Sequence, residues 1–585
     1  MAAPPDSKTA DGEAATLAAL PSLIDLLHYR AAEQADDPAY ILLSDRGRED
    51  ARITFGELEQ RARAVAARFA ERAAPGERAL LLFPNGIDFM AAFFGCLVAG
   101  IIAVPMMLPR RQSARDSSDS IVADCAPRLG LATAALLAGG RGDIAGRFGG
   151  LNWLAVDQIE ANSEVPDTAF PAVAAEDIAF LQYTSGSTSD PKGVMVSHAN
   201  LIANLAMMRA AFGNSRASTY VSWTPLYHDM GLIINVLESL YSGALCVLLS
   251  PVAFVQRPLL WLRAISDYRA EVAVGPNFAF DLCVDRYRAD DMADLDLSCW
   301  KLALNASEAV RADTIRRFAT AFAPHGFAAS AMYPAYGMAE ATVLISAGLR
   351  GAGPVIRPVS RDGLQRNTIM PPAGEADLHE IVGCGPAFPG ERVEIADPVN
   401  LCRLVPGRIG EIWVAGPNIA PGYWQNPEAT AEAFTARLVG EADETQWLRT
   451  GDLGFLDAAG ELFITGRIKE IVIIRGVNHY PQDIEYTVQR SHPALRRHGG
   501  AAFAAADPDG AERLVIVQEV ERTYRNRMDA AEIVARVREA VVTEHEIAPH
   551  EIALLRPGAL PKTTSGKIQR AVSRQLWQQG ALDFL

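Results

Sequence analysis

An α/β fold in two parts is what this sequence predicts, and three observations predict it. Strand-like and helix-like segments alternate along most of the 585 residues, the pattern of a mostly parallel sheet covered by helices. The length exceeds what one hydrophobic core usually supports. Near residue 466 the texture changes: "ELFITGRIKEIVIIRG" reads as two short strands about a Gly-Arg turn, followed by the strand "RLVIVQEV", a helix from about Asp529 and a tail ending "LPKTTSGKIQR". That is enough for a small separate α+β domain. From 469 onward 16 Lys and Arg face 15 Asp and Glu, while the whole chain carries a net charge of -16, so the charge asymmetry supports a boundary there.

Taken in order, residues 1–20 are rich in Ala, Pro and Asp and read as a disordered tail, with no basic start, apolar run and cleavage site of a secretory leader. Thr54 and Glu57 form a capping-box pattern ahead of Leu58, Ala62, Val65, Ala66 and Phe69 at helical spacing. "RALLLF" is a short β run. Phe89 to Pro109 is free of charge and long enough to cross a bilayer, yet Gly95, Gly100 and Pro105 break it into a buried helix ending at Gly100 and an interior strand. No integral membrane segment is expected. The net charge argues against a nucleic-acid partner, because phosphate neutralisation needs concentrated Lys and Arg. Seven cysteines, an odd number without a CxxC pair, read as free thiols in a reducing cytoplasm.

The chemistry-bearing stretches lie at strand ends and turns. "LQYTSGSTSDPKGVMVSH", residues 181 to 198, runs from a strand into small hydroxylated residues, a composition that lets backbone NH groups approach an anion. It is not a Walker A loop: no glycine precedes Lys192 and no hydroxyl follows it. Alone it has even standing with an ordinary surface turn. "YHDMGL" at 227–232, "NASE" at 305–308, "AYGMAEAT" at 335–342, "RTGDLG" at 449–454, "TGRIKE" at 465–470 and "TTSGK" at 563–567 are each weak individually.

Together, "YTSGSTSDPKG", "YGMAE", "RTGDLG", "GRIKE" and "PKTTSGK" resemble, in order and approximate spacing, the core motifs of the adenylate-forming superfamily over roughly residues 25 to 575. "PLYHDMGLI", "FVQRPLLWLRAIS", "GPNFAFDLC", "NASEAVRADT" and "RGVNHYPQDIE" resemble one branch, the fatty acyl-AMP ligases. Between Glu340 and Gly383 lie 42 residues, more than an acyl-CoA synthetase is expected to have, and this excess resembles the insertion that marks the ligases. A tolerated surface-loop insertion would look the same. The resemblance implies a large N-terminal adenylate-forming domain over 21–467, of mixed sheets wrapped by helices and with the insertion at about 350–380. It further implies a small mobile C-terminal domain over 468–585, turning about Ile468 or Lys469.

The implied reaction joins a fatty acid to the α-phosphate of ATP, releases pyrophosphate, and passes the acyl group to the phosphopantetheine thiol of an acyl carrier protein. Thr184, Ser185, Gly186, Ser187, Thr188 and Lys192 would wrap the phosphates. Glu340, with Thr184, would hold Mg2+. Tyr336 would stack on adenine, with Gly337 and Met338 beside it, and Ser307 and Glu308 at the base edge. Asp452 would bind the ribose hydroxyls, with Arg467 close by. Lys567 would neutralise carboxylate and α-phosphate in adenylation, and His228, near the mouth of the acyl tunnel, is expected as a second catalytic residue. Met230, Gly231, Ile234, Asn277 and Phe278 would line the acyl pocket. Two positions depart from the superfamily pattern: Ser189 stands where glycine is usual, and Ala339 where a threonine is usual, with Thr342 as a possible replacement hydroxyl. The basic stretch "RSHPALRRH", 490–498, is a candidate carrier contact with a solvated helix end as its plain alternative. A monomer is expected. An acyl-CoA synthetase is the rival enzyme, and a non-catalytic adenylate-binding scaffold the rival from another class.

Overall fold

The computed structural model describes residues 7–109, 118–139, 143–160, 170–184, 191–441, 444–474, 476–506, 512–524, 528–563 and 566–585. Two large sheets form the body. The eight-stranded one runs in space from Ser346–Ala347 through Met332–Tyr336, Leu302–Asn305, Val272–Gly275, Thr219–Ser222, Leu245–Leu248 and Pro38–Leu43 to Glu49–Thr54. Its interior pairs are parallel and its two edge pairs antiparallel, so it is mixed in the expected sense. The six-stranded sheet has the same plan, with four parallel pairs and the antiparallel hairpin Ile178–Thr184 with Lys192–Ser197 at one edge. Short apolar runs such as Val272–Gly275 and Leu302–Asn305 are buried along their whole length, as strands covered on both faces must be.

Local signals hold where the sequence placed them. Thr54 accepts from the backbone of Glu57, whose carboxylate accepts from the Thr54 NH, and the helix Phe55–Ala70 follows with its apolar stripe buried. The charge-free stretch from Phe89 divides into the buried helix Ile87–Val98 and the strand Ile102–Pro105, and among the described residues no helix is long and apolar enough to cross a membrane.

The expected tail needs correction. Residues Ser7–Ala18 form a helix; Leu17 is fully buried, and Glu13 pairs with Arg30 at 2.8 Å and Arg209 at 2.7 Å. Alanine-rich composition that reads as tail also has high helix propensity, and two guanidiniums some distance along the chain anchor it. Residues 1–6 lie outside the described part.

A four-stranded antiparallel sheet of Arg392–Ala396, Gly410–Ala415, Leu448–Leu456 and Leu462–Arg467 completes the part before the 3-10 turn Ile468–Glu470. Beyond that turn the chain builds apolar cores of its own: Ile484, Val488, Val537 and Val541 from helices Pro481–Ser491 and Ala530–His545 pack on the sheet Leu495–Ala506, Glu512–Val520 and Glu551–Leu555. The insertion after Glu340 is a hairpin, Ile356–Ser360 with Leu378–Val382, joined through the short helix Arg361–Gln365. Val359, Leu364 and Ile381 of this insertion share an apolar cluster with Phe455, Phe463 and Tyr480, and Ile468 and Ile471 pack against it.

Candidate active site

Four neighbouring parallel strands deliver the site. Thr219–Ser222 leads to His228 and Asp229, Val272–Gly275 to Asn277 and Phe278, Leu302–Asn305 to Ser307 and Glu308, and Met332–Tyr336 ends on Tyr336 before Gly337, Met338 and Glu340. All these groups therefore leave the carboxyl ends of adjacent strands, where open α/β sheets place their ligands. They line one cavity of about 1850 Å³, which also takes in Thr184, Lys192, Asp452, Arg467, Lys469 and Lys567. Ser185, Gly186, Ser187 and Thr188 lie outside the described residues, as does Ser189. Their flanks are fixed: Thr184 pairs across the hairpin with Lys192.

Asp452 is the hub of one half of the cavity. It is buried, accepts from the Tyr336 hydroxyl at 2.8 Å, and accepts from Arg467 Nε at 2.7 Å, the two strands holding Asp452 opposite Arg467 in register. The Asp452 charge raises the Arg467 guanidinium, and burial pushes the Tyr336 phenol well up, so Tyr336 stays neutral and donates. The Tyr336 hydroxyl is thus tied to Asp452 rather than free in solvent.

Glu340 holds the other half. Its Oε1 accepts from the Tyr423 hydroxyl at 2.8 Å, and Lys192 Nζ lies 4.7 Å from the centre of the same tyrosine ring. Burial raises the Glu340 carboxyl, and it has no ion pair among the described residues. A buried carboxylate in this state suits a hard divalent cation, which would hold it ionised. Among the described residues no cluster of three His, Cys, Asp or Glu is present, so any ion would take few protein oxygens.

Lys567 enters from the C-terminal part. Thr563 N donates to Lys567 O at 2.7 Å and Lys567 N to Thr563 Oγ1 at 3.0 Å, and a Cβ on Gly566 would lie 3.9 Å from the Phe278 ring. Burial lowers the Lys567 ammonium, while Asp229, Glu308 and Asp452 oppose that shift. Asp229 is held below the usual carboxylate range: burial would raise it, but His228 and Lys567 outweigh the burial.

The acyl-pocket expectations divide. Met230, Ile234 and Phe278 line the cavity with Ala306, Val343 and Leu344. Gly231 is not among the lining residues; a Cβ there would sit 2.0 Å from Pro225 O, so its role is close backbone approach. Asn277 reaches the cavity wall, but its amide donates to Thr314 Oγ1 at 3.0 Å and accepts from Arg311 N at 3.1 Å, bonds that tie the start of its own helix, Asn277–Arg286, to the start of the helix Ala312–Phe322. Thr342 is also corrected: it is fully buried and donates its hydroxyl to Asn418 O at 2.6 Å. The stretch 490–498 faces inward as well as outward. Arg490 pairs with Asp313 at 3.5 Å, Arg496 with the buried Glu519 at 2.7 Å and Arg497 with Asp285 at 2.8 Å. Sequence reasoning passed over Asp229 and Tyr423. Adjacency to His228 was the only signal for the first, and nothing local marked the second.

Comparison with known proteins agrees with this geometry. The pattern described as "AMP-binding enzyme" matches residues 27–424, and that described as "Disco-interacting protein 2-like, AMP domain" matches 469–585. JamA of Moorena producens (strain JHB), a medium-chain-fatty-acid–[acyl-carrier-protein] ligase, is 42% identical over 571 residues, covering 96% of each chain. FadD26 of Mycobacterium bovis (strain ATCC BAA-935 / AF2122/97), a long-chain-fatty-acid–AMP ligase, is 36% identical over 575 residues, covering 94% of this chain and 96% of its own. The crystal structure of a fatty acyl-adenylate ligase from L. pneumophila in complex with acyl adenylate and pyrophosphate superposes with a TM-score of 0.75 at 36% identity, covering 97% and 98%. The chain belongs to the AMP-binding enzyme family and, within it, to the fatty acyl-AMP ligases.

Proposed function

We propose that this protein activates a fatty acid with ATP to the acyl-adenylate, releasing pyrophosphate, and then transfers the acyl group to the phosphopantetheine thiol of an acyl carrier protein. The observation that carries the reading is the seat of Lys567: a partly buried ammonium in the cavity that also holds Asp452 with Tyr336 and Arg467, and Glu340. Joining a carboxylate to a phosphate brings two anions together, so the rate depends on cationic groups fixed where charge accumulates. Lys567 neutralises the carboxylate and the α-phosphate, and Lys192 faces the departing pyrophosphate. Asp452 accepts from the ribose hydroxyls, Tyr336, with Gly337 and Met338, covers the base, and Ser307 and Glu308 border it. Glu340, with Thr184, would hold Mg2+, which would supply further neutralisation of the phosphates.

The acyl chain takes the apolar wall of Met230, Ile234, Phe278, Val343 and Leu344. Each methylene buried there contributes about 0.8 kcal/mol, enough to select chain length without polar recognition. Transfer then follows once the part beyond Ile468 and Lys469 turns and withdraws Lys567. Two features favour a carrier thiol over coenzyme A. JamA is named for a carrier-protein product, and the insertion packs on Ile468 and Ile471, so the turn is coupled to a contact that a plain loop would not make. A monomeric state and a cytoplasmic location complete the proposal.

Labelled fatty acids of graded length, ATP and Mg2+ test it, with coenzyme A in one arm and a phosphopantetheinylated carrier protein in another. Acyl-adenylate that accumulates with coenzyme A and becomes thioester with the carrier supports the reading. Rapid acyl-CoA formation would replace it with the synthetase.

A further inference from the structure

His228 and Asp229 sit where the loop after Thr219–Ser222 enters the π-helix Met230–Leu237, a widened turn of the kind that frequents functional sites. Asp229 Oδ1 lies 2.5 Å from His228 Nδ1 and accepts from Met230 N at 2.6 Å. Met230 N is also 3.4 Å from Nδ1, a much weaker contact. The short carboxylate contact fixes a proton on Nδ1 and leaves Nε2, at the opposite edge of the ring, as the acceptor. The His228 side chain lines the cavity, is 21% exposed, and Nε2 has no hydrogen bond among the described residues. Asp229 has a second cationic neighbour in the same cavity, Lys567, which arrives on the part of the chain beyond the Ile468–Glu470 turn.

We propose that Asp229 is a counter-ion shared in time: it faces Lys567 while the adenylate forms, and His228 alone once Lys567 has withdrawn, when His228 Nε2 takes the proton of the acceptor thiol. His228 is then a catalytic base and Asp229 its positioning residue. In the step, the S–H bond breaks, its proton going to Nε2 and its electron pair forming the S–C bond at the acyl carbon. The bond from that carbon to the phosphate oxygen breaks, and AMP leaves with the pair. Imidazolium, paired with Asp229, returns its proton to water.

The need is chemical. A thiol with a pKa of about 8.5 is only a few per cent thiolate near pH 7. Departure of Lys567 removes a positive charge from beside Asp229, so the carboxylate serves the imidazole without competition at the half-reaction that uses it. Of the other charges in the cavity, Glu340 faces Asp229, whereas Glu308, Asp452 and Arg467 face Lys567, and all four precede the turn.

The inference rests on the carrier reading, and the test keeps the two apart. Purified dodecanoyl-adenylate is mixed with the full-length protein and a phosphopantetheinylated acyl carrier protein, and thioester is followed in a single turnover from about pH 6 to about pH 9.5, spanning both ionisations. His228→Gln, which keeps hydrogen bonding without basicity, should lose about a hundredfold at pH 7, as much as His228→Ala. Both deficits should shrink to a few-fold by about pH 9.5, where the thiol ionises unaided. Asp229→Asn should lose about tenfold through the wrong tautomer. In every variant transfer should fall further than pyrophosphate release with ATP and fatty acid. A pH-independent deficit, a His228→Gln protein that transfers like the unaltered one, or equal losses in both half-reactions would overturn the assignment. No thioester from the unaltered protein would remove the carrier reading and the inference with it.

Discussion

Lys567 is an ammonium whose own solvation has been reduced, and that has a measurable sign. Burial lowers its pKa, so the charge that adenylation needs is lost as pH rises through a value below the ordinary lysine range of about 10.4. Fatty-acid-dependent pyrophosphate release should therefore show a basic limb below that range, and a limb at or above it would contradict the assignment. Tyr336→Phe removes the neutral donor from Asp452 and leaves Arg467 in place. A hydrogen bond to a charged group contributes about 1.5–3 kcal/mol, so ATP affinity by calorimetry should weaken by about tenfold or more. Gly337→Ala places a Cβ 1.8 Å from Val343 O, a backbone clash; a lower unfolding temperature is the expected result. At this scale the resemblance pointed to Lys567, Glu340, Asp452 and Arg467, which the fold brings to one cavity, because they sit inside contiguous motifs. Asp229 escaped, since its meaning depends on a lysine that arrives more than three hundred residues later, and Gly231 was misread because close backbone approach leaves no local trace.

Elements carry the geometry. Alternating strands and helices predicted the parallel interiors, and the topology then places four motif-bearing loops side by side, something the linear order of His228, Phe278, Glu308 and Tyr336 does not state. The insertion was legible as excess length, but its packing on Ile468 and Ile471 was not, because that contact is made across the hairpin. Leu364→Ala empties a site in this small cluster, where Leu364 is 4% exposed. A loss of about 2–4 kcal/mol in stability is expected, with faster proteolytic cleavage around 467–471; unchanged cleavage would mean the insertion does not restrain the turn. The helix Ser7–Ala18 was read as tail because its anchors, Arg30 and Arg209, belong to other helices.

The whole molecule closes by joining charged surfaces across the turn. Arg497 meets Asp285, Arg490 meets Asp313, Arg311 meets Asp483 at 3.4 Å, and the Tyr486 hydroxyl donates to Asp313 at 2.7 Å. Each exposed pair contributes little, about 0–1 kcal/mol, and salt screens it. Their sum nonetheless biases the position that seats Lys567. Arg497→Glu turns one attraction into repulsion against Asp285, so pyrophosphate release should slow several-fold relative to thioester transfer from supplied acyl-adenylate. Equal effects on both would show that this surface contacts the carrier instead. The overall charge of -16 never pointed to this interface, because it is built from a few individual pairs, with Arg490 and Arg497 of the nearly neutral C-terminal part and Arg311 of the part before the turn.

The most direct measurement is fatty-acid-dependent exchange of labelled pyrophosphate into ATP by the unaltered protein and by Lys567→Ala, with circular dichroism as the check on folding. Removing a fixed cation from the charge-accumulating centre should cost about 3 kcal/mol or more, so exchange should drop about a hundredfold or further while the spectrum is preserved. Exchange within about twofold of the unaltered protein, well short of the tenfold that 1.36 kcal/mol would give, would contradict the account.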